Sequence, residues 1–362
     1  MQNVVSVLKR LMLLVVCLPW LADFAGLHAQ ESNITKPPIR IGMIGLDTSH
    51  VPAFTKIFND PKLFHDPNAP GDMANMRVVV GFPGGTDFPP SRDRVAGFTQ
   101  QLRDMGVEIV DSIPALLEKC DVVLLESVDG RVHLEQALPV FQAGKPLFID
   151  KPLAGSLADA IAIAELSERY QVPFFSCSSY RFTPAVIELL NNESIGTIQG
   201  VSTWGPCTYQ DHTPDLYFYG VHGVEALYTL MGTGCETVTR IRTAETDLVS
   251  GTWDNGRVGT YRGIRNHAST FGATVFGTKS IMHSGTAGGY EPLCVEIAKF
   301  FRSGQAPVSA KETLEMFAFM EAADESNRRG GAPVGLEEVL QPARAAAKVR
   351  LETLLGPERK TP

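Results

Sequence analysis

At roughly 150 residues per domain, a chain of 362 residues holds about two domains, and 44% hydrophobic with 20% charged side chains gives an ordinary globular core. Disorder, collagen and coiled coil are excluded by that composition. Acidic residues outnumber basic ones 40 to 32, for a formal charge of −8, and no basic run concentrates positive charge, so no nucleic-acid surface is expected.

Lys9 and Arg10 precede an apolar run from Leu11 to Leu21, and small residues follow between Ala25 and Ala29. That order reads as a secretory signal over residues 1–29. A membrane span needs about 20 apolar residues, and Asp23 interrupts this run first. The expectation is an exported, periplasmic or secreted protein with no stable membrane span after processing. Cys120, Cys177, Cys207, Cys235 and Cys294 remain beyond the leader. Their odd number leaves at least one thiol unpaired, and no C-x-x-C pair suggests zinc.

A polar linker leads at Pro38 into IRIGMIGLDTSHVPAFTKIFND, which reads as a buried strand, a turn and a helix. MRVVVGFPGG is a second buried strand, followed by a helix near Ser91 to Met105 and a short strand at Val107 to Val110. DVVLLESV and PLFID are further apolar strands, separated by the helix HLEQALPVFQAG. Non-alternating strands between helices imply a parallel sheet covered on both faces, a Rossmann-type domain over residues 38–153. From residue 154 to 362 the texture becomes a helix opened by Ser156, then alternating strands, with Asp254-Asn255-Gly256 as a hairpin turn. The second domain is therefore α+β with an open, mainly antiparallel sheet. The last helices are expected to pack back on the first domain.

A dinucleotide would sit at the first strand-to-helix turn, where helix amides and a close backbone hold diphosphate. After Gly45, a G-x-G-x-x-G pattern would place glycines where Asp47 and His50 stand. A carboxylate about 5 Å from a phosphate, at a dielectric of about 20, costs roughly 3 kcal/mol. The second strand ends in Gly81-Phe82-Pro83, without an acid for the adenosine ribose. Asp47, Thr48 and Ser49 can be read as a helix N-cap, or, with His50, as contacts to a ligand at the sheet's carboxyl edge.

The segment LFIDKPLAGSLADA, with DVVLLESVDGRVHLEQALPVFQAGKP before it and YGVHGVEALYTLMG after, resembles the Gfo/Idh/MocA family of sugar and polyol oxidoreductases. The likeness runs from about Pro38 to the C-terminal helices. It implies NAD or NADP as cofactor, held by Gly45, Asp47, Thr48, Ser49, His50, Ser127, Asp150 and Pro152. Asp150-Lys151-Pro152 stands for the family's Glu-Lys-Pro, whose lysine lies between nicotinamide and substrate. His222 aligns with the family's general base in an Asp-x-Gly-x-His-x-x-Asp signature. Phe218 and Glu225 replace its two acids. By the same resemblance Arg181, Glu225 and His133 face substrate, and members associate as homo-oligomers through the open sheet face.

The function so implied is hydride transfer from a carbohydrate or polyol hydroxyl to NAD(P). No metal is assigned. The alternative keeps the sugar cleft and drops nucleotide binding, giving a lyase or hydrolase, in which a metal could lie at Asp47, His50, His222 or Glu225, or a carbohydrate-binding protein.

Overall fold

The computed structural model describes residues 37–356 except 65, 67, 71, 72, 286 and 287. The proposed leader lies outside the described residues.

The first domain grows from β1 (Ile39–Ile44), α1 (His50–Phe58), α2 (Pro61–Phe64) and β2 (Met76–Phe82). It continues with α3 (Pro89–Arg92), α4 (Val95–Asp104), β3 (Glu108–Ile109), α5 (Ile113–Leu117) and β4 (Val122–Leu125). Then come α6 (His133–Gln142), β5 (Leu147–Ile149), α7 (Leu157–Tyr170) and β6 (Phe174–Ser176). The strands lie in the order β3-β2-β1-β4-β5-β6, all parallel. Strand β4 shows why its sequence is apolar throughout. Val123 and Leu125 enter one core with Leu116, Leu134 and Ile161, while Val122 and Leu124 enter the other with Phe54 and Leu102. At about 1.5–3 kcal/mol for each large apolar side chain buried, both faces reward the same strand.

The sequence reading ended this domain at Leu153, but β6 extends the sheet to Ser176. The helix opened by Ser156, whose side chain accepts from the Asp159 amide, is the crossover between β5 and β6. The sequence places this helix in the second domain because the short run PFFS after it gives little strand signal.

After α8 (Pro184–Asn191), the second domain comprises β7 (Ile198–Pro206), α9 (Val221–Met231), β8 (Cys235–Arg242), β9 (Thr246–Trp253) and β10 (Val258–Ile264). It closes with β11 (Gly272–Gly277), β12 (Ile281–His283), α10 (Glu291–Ser303), α11 (Ala310–Arg328), β13 (Val334–Gly335) and α12 (Leu336–Leu355). The seven strands run β12-β11-β7-β10-β9-β8-β13, antiparallel except for the parallel pair β7–β10. The turn Asp254-Asn255-Gly256 joins β9 to β10, with Gly256 at φ +77°.

Helices α9 and α11 cover one face of this sheet. Beneath α11, the buried Arg240 guanidinium meets Asp247 at 2.8 Å, Asp215 at 2.9 Å and Asp324. The opposite face carries the exposed side chains of Val258, Phe276 and Ile281, which lie across neighbouring strands on either side of Gly200. Helix α10 returns to the first domain, burying Leu293, Ile297 and Phe300 among Phe54, Phe148 and Phe175. Arg350 of α12 pairs with Asp159 of α7 and Glu135 of α6. Among the described residues no helix is long and apolar enough to cross a membrane. Among the described residues, Cys120, Cys177, Cys207, Cys235 and Cys294 are all buried free thiols.

Candidate active site

A cavity of about 270 Å³ opens at the carboxyl edge of the parallel sheet. The first domain lines it with Thr48, Ser49 and His50 at the start of α1, with Val128 after β4, and with Lys151 after β5. Tyr180, Phe218, Tyr219, His222 and Phe271 close the other side. Lys151 and His222, more than 70 positions apart in sequence, thus face one space.

His222 is set by its neighbours. Its Nδ1 lies 2.6 Å from Ser178 Oγ, and that hydroxyl accepts from the Tyr180 amide at 3.0 Å. Tyr219 and Phe271 stand edge-on to the ring. Burial, then the charges of Lys151 and His50, holds the imidazole well below its ordinary pKa of 6.5, so it is neutral.

Glu225 and Arg181 do not line the cavity. Arg181 is buried and pairs with Glu225 and with Glu312 of α11, while Glu225 also accepts from the Ser178 amide at 3.1 Å. The geometry therefore places them behind His222, bracing Ser178. His133 is likewise in the core. Its ring nitrogens lie 3.1 Å from the Leu153 carbonyl and 2.7 Å from that of Ser127, tying two loops together. Ser127 donates to Gln136 at 2.7 Å, and Pro152 is buried beside Lys151.

The first turn departs from the N-cap reading, and from the ligand-contact reading at Asp47 alone, since Thr48, Ser49 and His50 line the cavity. Ser49 occupies the N-cap position without a side-chain cap. Asp47 is fully buried, accepting from Ser91 Oγ at 2.5 Å and from the Val128 amide at 2.8 Å. Burial pushes its carboxyl up, opposed by those two donors. It is an internal brace, turned from the cavity. Gly45 has φ +82°, and a Cβ there would stand 2.1 Å from Ser127 Oγ, so the turn is packed directly on the β4 loop.

Four acidic or basic side chains converge at the base of the cavity. His50 Nδ1 lies 2.9 Å from Asp150 Oδ2 and 4.0 Å from Glu126 Oε2. Lys151 Nζ is 3.9 Å from Asp150 Oδ2. Against burial, which would raise it, His50 and Lys151 hold Asp150 down to about 2. Burial and then the neighbouring Asp150 push Glu126 well above the usual carboxylate range. The sequence reading passed over Glu126 and Ser178. An acid ending an otherwise apolar strand, at the same edge as Asp150, is the signal that could have found Glu126.

A parallel six-stranded sheet, a second mixed sheet and a cavity between them define a two-domain architecture with a Rossmann-type first half. The family model described as "Oxidoreductase family, NAD-binding Rossmann fold", GFO_IDH_MocA, matches residues 91–177. None of the curated proteins matches the chain. Among solved structures, scyllo-inositol dehydrogenase from Lactobacillus casei with bound NAD(H) and scyllo-inositol superposes with a TM-score of 0.66 at 15% identity. The match covers 83% of this chain and 100% of that one. GenD2 from gentamicin A biosynthesis, in complex with NAD, gives 0.65 at 14% identity, covering 83% and 97%. The resemblance carried by the Asp150-Lys151-Pro152 segment is borne out by that family model over residues 91–177, and the likeness to the solved structures is one of fold.

The residues present fit the reactive half of a nicotinamide cofactor. The start of α1 lies at the cavity wall and favours an anionic group, and Asp47 does not oppose it. The cavity is smaller than the roughly 300–1,000 Å³ of typical ligand pockets. Beyond Asp47 the β2–α4 connection crosses the sheet edge. Phe88 of that connection is buried, with its ring 5.9 Å from Phe218 and the Arg131 guanidinium 5.7 Å from it.

Proposed function

We propose that this protein is an exported oxidoreductase that removes hydride from a carbohydrate or polyol hydroxyl using NAD or NADP. The observation that carries this reading is that Lys151 and neutral His222 face a single cavity at the sheet edge. Thr48 and Ser49 at the helix start would hold the cofactor's diphosphate end. When bound, the nicotinamide ring supplies the hydride acceptor. Lys151 orients the substrate hydroxyl and polarises its oxygen. With the imidazole proton on Nδ1 and directed to Ser178 Oγ, His222 Nε2 keeps a lone pair and takes the hydroxyl proton. The bound inositol of the Lactobacillus structure supports a polyol as substrate class. Export is supported by the charged, then apolar, then small-residue order of the first 29 residues. The exposed row of Val258, Phe276 and Ile281 supports a homo-oligomer formed through the open sheet face.

The test is to denature the purified mature protein and search for released nicotinamide nucleotide, then to titrate the folded protein with NAD and NADP. Empty protein that also fails to bind either would remove this reading. Lys151→Met should cut turnover by roughly 10²–10⁴-fold; unaltered turnover would remove the lysine's role. A second reading, proton transfer on a sugar without net oxidation, is favoured by the burial of Phe88 and Ser91 and the tie of Ser91 to Asp47 at the first turn. Turnover of a sugar by nucleotide-free protein would establish it.

A further inference from the structure

We propose that His50, Glu126 and Asp150 form a binding site for one divalent transition-metal ion at the edge of the cavity. The three side chains come from the first residue of α1 and from the ends of β4 and β5. The fold brings them together because β1, β4 and β5 are consecutive neighbours in the sheet.

Glu126 is fully buried, and neither of its carboxylate oxygens has a hydrogen-bond partner. Asp150 Oδ1 and His50 Nδ1 are likewise without one, although His50 Nδ1 stands 2.9 Å from Asp150 Oδ2. That contact is an ion pair only when the imidazole is protonated. Buried polar atoms are nearly always partnered, and a fully buried carboxylate left alone is costly. Four such atoms in one cluster share one remedy, a cation among them.

The spacing suits one. Bonds of about 2.0–2.2 Å let two ligand atoms of the same ion stand up to about 4.4 Å apart. His50 Nδ1 lies 2.9 Å from Asp150 and 4.0 Å from Glu126, both inside that limit, and with one donor atom from each residue within 4.8 Å of the others the two carboxylates need close by no more than a few tenths of an ångström. One imidazole nitrogen and two carboxylate oxygens favour Zn²⁺, Mn²⁺ or Fe²⁺ and exclude the thiolate-seeking ions. His50 also lines the cavity, so an open coordination position faces the space where a substrate oxygen would lie. This set replaces the one considered from the sequence: His50 is retained, whereas Asp47, His222 and Glu225 point to other partners.

Metal binding is read without turnover or nucleotide, so its failure leaves the oxidoreductase reading standing, and the reverse. The full mature protein is treated with chelator, desalted and titrated calorimetrically with MnCl₂ and with ZnCl₂. The expected result is one equivalent bound, with Glu126→Gln weakening affinity at least about a hundredfold. Failure of folded wild type to take up either ion, or equal affinity in the variant, would overturn the site and leave a buried carboxyl that holds a proton instead. Should Glu126→Gln not fold, wild type titrated with CoCl₂ decides. Visible ligand-field bands at one equivalent sustain the proposal, and a spectrum no different from free cobalt ends it.

Discussion

Ser91 Oγ donates to Asp47 Oδ2 across 2.5 Å, tying the β2–α4 connection to the turn where a dinucleotide phosphate would rest. The acid that departs from the glycine pattern is therefore the anchor of a strap. The expected repulsion between Asp47 and phosphate gives way to a question of whether the strap opens.

Replacing Ser91 by Ala leaves one oxygen of a buried carboxylate without its donor. The variant should lose about 1–3 kcal/mol of stability, read by denaturant unfolding. It should also bind NAD or NADP more tightly than wild type, because the connection is freed. Unchanged stability together with unchanged affinity would show that this bond does not hold the strap.

The ion pairs of Arg181 with Glu225 and Glu312 lie behind His222 rather than in the cavity. Truncating one partner of a buried pair costs about 3–5 kcal/mol, so Arg181→Met should unfold at markedly lower denaturant concentration. Any loss of turnover should appear in kcat, through the Ser178 contact to His222. A raised KM with unaltered stability would place Arg181 against substrate after all.

Asp324 predicts a pH dependence of stability. Burial raises its carboxyl to about 7, with Arg240 opposing the rise and Asp215 and Glu321 adding to it. Because the folded pKa exceeds the ordinary value of 3.8, the folded state holds the extra proton between those two values. Its contribution is fully present below pH 3.8 and is lost as pH rises through about 7. The free energy of unfolding should therefore fall over that window by up to a few kcal/mol. Asp324→Asn should flatten the slope, and the same slope in wild type and variant would assign it to another group.

Phe276 and Val258 flank Gly200 on the open face of the second sheet, exposed and apolar. Phe276→Asp should convert the proposed homo-oligomer to monomer in light scattering coupled to size exclusion, with little change in monomer stability. A wild-type protein that is already monomeric, or a variant of unchanged mass, would rule out this face.

Sequence patterns determined most of the architecture. The uninterrupted apolar runs at Val122–Leu125 and Leu147–Ile149 could be buried only in a sheet covered on both sides, and Asp254-Asn255-Gly256 could hardly be other than a tight turn. Local chemistry suffices for such elements, since side-chain periodicity and backbone preference act within a few residues. Lys151 was legible for a related reason: its neighbours form a continuous motif. The role of Asp47 was not, because its partners are Ser91 and the Val128 amide, 44 and 81 positions away. The same holds for Arg181, turned toward Glu225 and Glu312, and for Glu126, whose meeting with His50 depends on strand order. Which way a polar side chain faces is settled by the donors and charges that the completed fold brings within about 3 Å, and no local pattern encodes that.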